Sequence, residues 1–195
     1  MAHIFINYRR EGGAYAAALL DELLSRRFGE ARVFRAAKSI TAGSDYEKSL
    51  LEAVRGCGVM LVIVDDGWLG RFDSDNGDSD NGESSPSSDW VLREIEGALR
   101  YERTVIPVLL SGVDRLREDD LPNPLKGLAV LQYLRFDYRN VRQDSVYLAE
   151  QLVRAYPAIA ERRAPRPRRF VRFWRALSGV TGTRGGSADA HARDR

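Results

Sequence analysis

Val59-Met60-Leu61-Val62-Ile63-Val64 is an unbroken apolar run, four of its six residues β-branched. A strand with one face in water alternates apolar and polar side chains, so a run like this is covered on both faces. It reads as an inner strand of a parallel sheet flanked by helices.

The rest of the chain fits such a sheet. Ile4-Phe5-Ile6 is a short apolar run that Arg9-Arg10-Glu11-Gly12-Gly13 breaks as a loop. Ala14 to Phe28 carries a helical stripe of Leu19, Leu20, Leu23, Leu24 and Phe28. Arg32-Val33-Phe34 is a second strand, and Arg35 to Ser44 reads as a loop with Gly43 as its breaker. Asp45 to Arg55 is helical, with Tyr46, Leu50, Leu51 and Val54 expected to face inward. A long polar segment from Asp66 to Ser88 precedes a helix from Trp90 to Arg100. Thr104 to Leu110 is a fourth strand, with Pro107 expected at its carboxyl end or at a bulge. A loop over 111–128, a fifth strand from Val130 to Phe136 and a helix from Ser145 to Tyr156 complete the pattern, with Leu148, Leu152 and Val153 inward. Strands alternating with helices predict an α/β, flavodoxin-like three-layer sandwich with a five-stranded parallel sheet in the order 2-1-3-4-5. In such sheets ligands bind beyond the carboxyl ends of the strands, near the switch point of the strand order.

Charge divides the chain in two. From Glu161 to Arg195 ten arginines stand against three acids, so this stretch carries +7 and the preceding residues −5 of the net +2. With Pro165, Pro167 and a Gly/Ser-rich end, 161–195 is expected to be a basic, disordered tail behind a single domain at 1–160. Phe170, Val171, Phe173, Trp174 and Leu177 would suit a short basic amphipathic helix touching anionic lipid or nucleic acid. A solvated linker has the same composition, so neither partner is named. The chain has no long apolar run and no secretory signal before its first strand, and Cys57 is its only cysteine. A cytoplasmic protein without disulfides, its thiol buried among apolar neighbours, is expected.

Several chemistries are excluded by spacing. The tandem Asp-Ser-Asp-Asn-Gly at 73–82 places glycine at the fifth position of each repeat, where a calcium loop of the EF-hand type needs it at the sixth. His3 and His191 are too isolated for a zinc site or a catalytic triad, so no metal is expected. No glycine-rich stretch has phosphate-loop or dinucleotide-fingerprint spacing. A receiver-type phosphorylation domain shares the strand order and could use Asp65-Asp66, but it needs acids after the first strand, where this chain has Tyr8-Arg9-Arg10.

Those arginines have a positive reading. A planar guanidinium fork matches phosphate or carboxylate, and two at the carboxyl edge of a central strand favour an anion; solvated surface residues are the plainer alternative. At the same edge, Trp90 and Glu94 stand four apart at the start of a helix that Asp89 or Ser88 can cap, so their side chains share one face. An aromatic surface beside a carboxylate suits a planar cationic ring. Equally, a tryptophan there can anchor packing and a glutamate can complement the helix dipole.

These segments together resemble the Toll/interleukin-1 receptor (TIR) domain family, especially its bacterial members. Ile4 to Arg10 is similar to the family's first box. Val33-Phe34 through Ile40-Thr41-Ala42-Gly43 and Tyr46 is similar to its second strand and BB loop. Asp89-Trp90-Val91-Leu92-Arg93-Glu94-Ile95 is similar to the WxxxE segment of enzymatic members, Val105 to Val108 to the fourth-strand box, and Leu121-Pro122 to the loop after it. The likeness covers about residues 2–157 in the right order.

The resemblance implies cleavage of the nicotinamide–ribose bond of NAD+, which is substrate and not cofactor, to ADP-ribose or a cyclic isomer. It makes Glu94 the essential carboxylate and Trp90 a stacking residue, and it places Tyr8, Arg9 and Arg10 along the nucleotide or its phosphates. It also implies self-association through TIR–TIR contacts, with the BB loop of one protomer completing its neighbour's site, and a role in defence or signalling beside other TIR or sensor proteins. Ala36 stands where family members often carry Asp, and 70–87 is an insertion placed to gate the helix after it. A non-enzymatic TIR adaptor acting only by homotypic contacts is the other reading.

Overall fold

The computed structural model describes residues 3–74 and 89–160. The basic tail and most of the acidic insertion lie outside the described residues.

Five parallel strands form one sheet in the order β2-β1-β3-β4-β5, as expected. They are β1 (Ile4–Asn7), β2 (Val33–Phe34), β3 (Val59–Val64), β4 (Thr104–Leu110) and β5 (Leu134–Phe136). All six β3 residues are at most 1% exposed, the two-faced burial that its sequence demanded. Helices α1 (Arg10–Phe28) and α6 (Val141–Ala155) pack on each other, as do α3 (Tyr46–Gly56) and α5 (Trp90–Arg100). The short α2 (Ala36–Ser39) and α4 (Gly70–Ser74) stand in the connections after β2 and β3. Cys57 is buried, donates its Sγ–H to Val54 O at 3.2 Å, and its thiol is pushed up to about 11 by burial, so it stays protonated.

Several expectations need correction. The connection after β2 contains a helical turn, α2, closed by Ser39, whose Oγ accepts from Arg35 N at 3.1 Å. Tyr46 and Leu51 do not face inward: they are 48% and 37% exposed, and α3 buries only Leu50 and Val54. Val153 is only half-buried, and Ala149 takes its inward place in α6. Pro107 sits inside β4 opposite Val62; β5 pairs with β4 only from Val108 on, so β4 is still an edge on that side at Pro107. The fifth strand is shorter than expected because a 3-10 segment, Asn123–Val130, buries Leu125 and Leu128 and leaves Val130 76% exposed.

The start of α1 positions the site. Glu11 and Gly12 break the helix, Gly12 with φ +84°, so the regular turns begin near Gly13. A Cβ on Gly12 would stand 2.5 Å from Asp65 Oδ1. Only glycine tolerates both that backbone and that contact. The turn after β1 is thereby seated on the carboxylate that follows β3, at the switch point of the sheet.

Candidate active site

Asp89 caps α5, its side chain accepting from Leu92 N at 3.2 Å. One turn on, Glu94 lies against the end of β1 and is only 7% exposed. The Asn7 Nδ2 amide donates to Glu94 Oε2 at 2.7 Å and to Val91 O at 3.3 Å. Among the described residues, no cation forms an ion pair with Glu94. Burial pushes its carboxyl up to about 8; the Asn7 hydrogen bond opposes this and the Asp89 charge adds to it.

Aromatic rings stand beside this carboxylate. Tyr46 meets Trp90 edge-on at 5.9 Å, and its hydroxyl is raised by burial, then by the charges of Glu94 and Tyr8, with Arg10 opposing. Tyr46, Glu94, Tyr8 and Arg10 are therefore electrostatic neighbours. The Arg93 guanidinium lies 4.4 Å over the Trp90 ring and pairs with Glu47 at 2.9 Å.

The two arginines after β1 part company. Arg9 is buried, paired with Asp89 and laid 4.3 Å over Phe72, so its charge is neutralised within the protein. Arg10 is exposed and makes no ion pair among the described residues. Tyr8 is half-buried beside the Arg35 guanidinium. Of the five residues singled out from sequence, Tyr8, Arg10, Trp90 and Glu94 share one neighbourhood, and Arg9 serves as its tie to Asp89.

Sequence reasoning missed three contributors. Asn7, the last residue of β1, is the polar partner of Glu94. Asp21, buried on α1, accepts from Arg35 at 3.0 Å and Lys38 at 2.6 Å and so binds the segment after β2 to α1. Asp65 pairs with Arg71 at 2.7 Å and supports Gly12. Asn7 carried a signal, a polar residue closing an apolar run; the others needed the fold. An open cavity of about 270 Å³ is lined by Glu30, Ala31, Val33, Phe34, Lys38 and Ser39, and by none of the predicted site residues.

The family model described as TIR domain matches residues 4–153. The chain belongs to the TIR domain family. This TIR domain is 25% identical over 185 residues to the NAD(+) hydrolase tir-1 of Caenorhabditis elegans, a match covering 92% of the chain and 18% of that protein. It is 27% identical over 126 residues to the NAD(+) hydrolase sarm1 of Drosophila melanogaster, covering 65% and 8%. The chain thus spans less than a fifth of either curated relative. Both are animal proteins, so they show the family and not its bacterial branch.

Solved structures agree on the fold. A metazoan TIR-STING receptor from C. gigas, in complex with 2′,3′-cGAMP, superposes with a TM-score of 0.52 at 18% identity, over 83% of this TIR domain and 40% of that chain. The TIR domains of the activated Roq1 resistosome superpose with 0.52 at 15% identity, over 79% and 98%.

Proposed function

We propose that this TIR domain cleaves the nicotinamide–ribose bond of NAD+, with Glu94 as the catalytic carboxylate. The observation that carries the reading is a carboxyl group buried at the sheet's carboxyl edge with no cation paired to it among the described residues, beside Trp90 and Tyr46. Such a group attracts a positively charged planar ring. Two relatives are named for hydrolysis of NAD+.

In the reaction the bond between C1′ of the ribose and the pyridinium nitrogen breaks, and its electron pair leaves with neutral nicotinamide. The ribosyl centre gains oxocarbenium character, and the Glu94 carboxylate stabilises it and holds ribose hydroxyls. Water adds to C1′ and loses one proton, giving ADP-ribose; attack by a nitrogen of the adenine would give a cyclic isomer. The leaving group needs no acid, so a single carboxylate suffices. Tyr8 and Arg10 face the nucleotide, Arg10 as the unpaired cation for its phosphates. Arg9 acts through Asp89, fastening the turn after β1 to α5. Trp90 and Tyr46 flank the ring.

The same reading makes the protein a self-associating enzyme of defence or signalling, in which TIR–TIR contacts bring the segment after β2 to a neighbouring site. It places the protein in the cytoplasm; no described helix is long and apolar enough to cross a membrane. The adaptor reading keeps one observation in its favour, the Arg93 guanidinium already lying over Trp90. NAD+ turnover by concentrated protein, with Glu94→Ala alongside, separates the two. Turnover that survives Glu94→Ala overturns the mechanism, and an assembled wild-type protein without turnover is an adaptor.

A further inference from the structure

The Asn7 amide is buried completely, and its two contacts account for its donors. Its Oδ1 is buried and has no hydrogen-bond partner among the described residues. Turning the amide over would set Oδ1 against the Val91 carbonyl and, once Glu94 is ionised, against a second acceptor. The arrangement satisfies Glu94 and leaves an acceptor stranded, which an apolar side chain like those of Ile4, Phe5 and Ile6 would not do. What the amide supplies that an apolar residue cannot is an N–H aimed at one oxygen of Glu94.

The other groups facing that carboxylate do not favour its charge. Asp89, on α5 itself, repels it, and Tyr46, on α3, is a neutral phenol whose own ionisation Glu94 opposes. Arg10, from the turn after β1, acts on the Tyr46 hydroxyl, and Arg93 is committed to Glu47 and Trp90. We propose that Asn7 is a positioning residue, favouring the ionised form of Glu94 against the cost of burial and fixing its carboxyl in one orientation at the end of β1. That this orientation serves NAD+ cleavage rests on the function proposed above.

The experiment reads charge and activity separately. In wild-type protein, nuclear magnetic resonance of the labelled Glu94 carboxyl and the Asn7 side-chain amide should give one common midpoint. In Asn7→Leu and Asn7→Ser the Glu94 midpoint should rise by about one pH unit or more, the loss of a hydrogen bond to a charged group. The ascending limb of kcat/KM for NAD+ should move to higher pH by the same amount. A purely structural role would lower the rate equally at every pH.

An Asn7 amide signal indifferent to Glu94 ionisation in the wild type overturns the proposal, whether or not the variants fold. So does an unmoved Glu94 midpoint in a folded variant. A moved midpoint in a protein that never turns over NAD+ upholds the role of Asn7 and overturns the enzymatic reading instead.

Discussion

Asp21 and Glu94 are both buried carboxylates, 3% and 7% exposed, yet their surroundings are opposite. Asp21 accepts from Arg35, Lys38 and Ser25. Glu94 has one neutral amide and a neighbouring negative charge. Asp65 stands between them, with Arg71 on one oxygen and, among the described residues, no hydrogen-bond partner on the other. Burying a carboxylate costs several kcal/mol unless cations or hydrogen bonds offset it. Asp21 is thus a clamp complete within the protein, whereas Glu94 has no counter-ion among the described residues, and in the proposed function the substrate supplies one. For the proposed function, a buried carboxyl without a counter-ion among the described residues is a sharper argument than the aromatic ring beside it.

Glu94→Gln gives the largest effect and the most direct way to break this contrast. It keeps the shape and removes the charge, so NAD+ turnover should fall by roughly 10³-fold, the scale of losing an electrostatic stabiliser in a closed site. Its stability should move the other way. With its carboxyl raised from 4.5 to about 8, the folded protein holds a proton that the unfolded chain releases, so wild-type stability falls as pH rises through that window. The glutamine variant is free of that loss. Its advantage in unfolding free energy should be absent near pH 4 and grow to roughly 2–4 kcal/mol by pH 8. The wild-type kcat/KM should rise with pH, pass half its plateau near pH 8 and level off above it, since it reports the free enzyme. A glutamine variant no more stable than wild type at pH 8 would mean that Glu94 is already compensated.

Asp21→Asn should do the reverse. It leaves Arg35 and Lys38 without their shared acceptor, and these side chains are 19% and 30% exposed, so water softens the loss. A destabilisation of about 2–3 kcal/mol at neutral pH is expected from chemical unfolding. Equal stability of variant and wild type would put Asp21 outside the scaffold.

Gly12→Ala probes the intermediate carboxylate. The added methyl meets Asp65 at 2.5 Å on a backbone with φ +84°, and about 2 kcal/mol should be lost. The double variant Gly12→Ala, Asp65→Ala removes the collision and keeps the backbone strain. Measured in a double-mutant cycle, the two losses should therefore add to less than their sum. Strict additivity would mean that the turn does not rest on Asp65.

How far the sequence reaches follows from the same residues. The sheet order was legible because β3 is apolar on both faces and helices recur between the strands. The helix that carries Trp90 and Glu94 was legible because helical spacing is local and Asp89 announces its start. Asn7 was not, because its importance lies in a contact spanning 87 residues. Arg9 and Arg10 read alike in sequence; only the fold separates them, by placing Asp89 beside the first. Tyr46 continues the inward stripe of Leu50 and Val54, but in the first turn of α3 its ring meets Trp90 and stays half exposed. Local periodicity predicts faces, and the junctions between elements decide which face is covered.

The smallest effect sharpens the contrast at its rim, where Arg93 covers Trp90. Its pair with Glu47 is half in water and its contact with the ring is a surface cation–π interaction, so Arg93→Ala should change stability by less than about 1 kcal/mol. The kinetic outcome is more informative. If Trp90 offers its ring to the substrate, uncovering it should lower KM for NAD+ several-fold and leave kcat unchanged, since Glu94 and Asn7 are untouched. A lowered kcat with KM unchanged would instead make Trp90 a packing partner that needs Arg93 to hold α5 in place. The split between the two constants therefore tells whether the aromatic ring belongs with Glu94, as a group completed from outside, or with Asp21, as one completed within the fold.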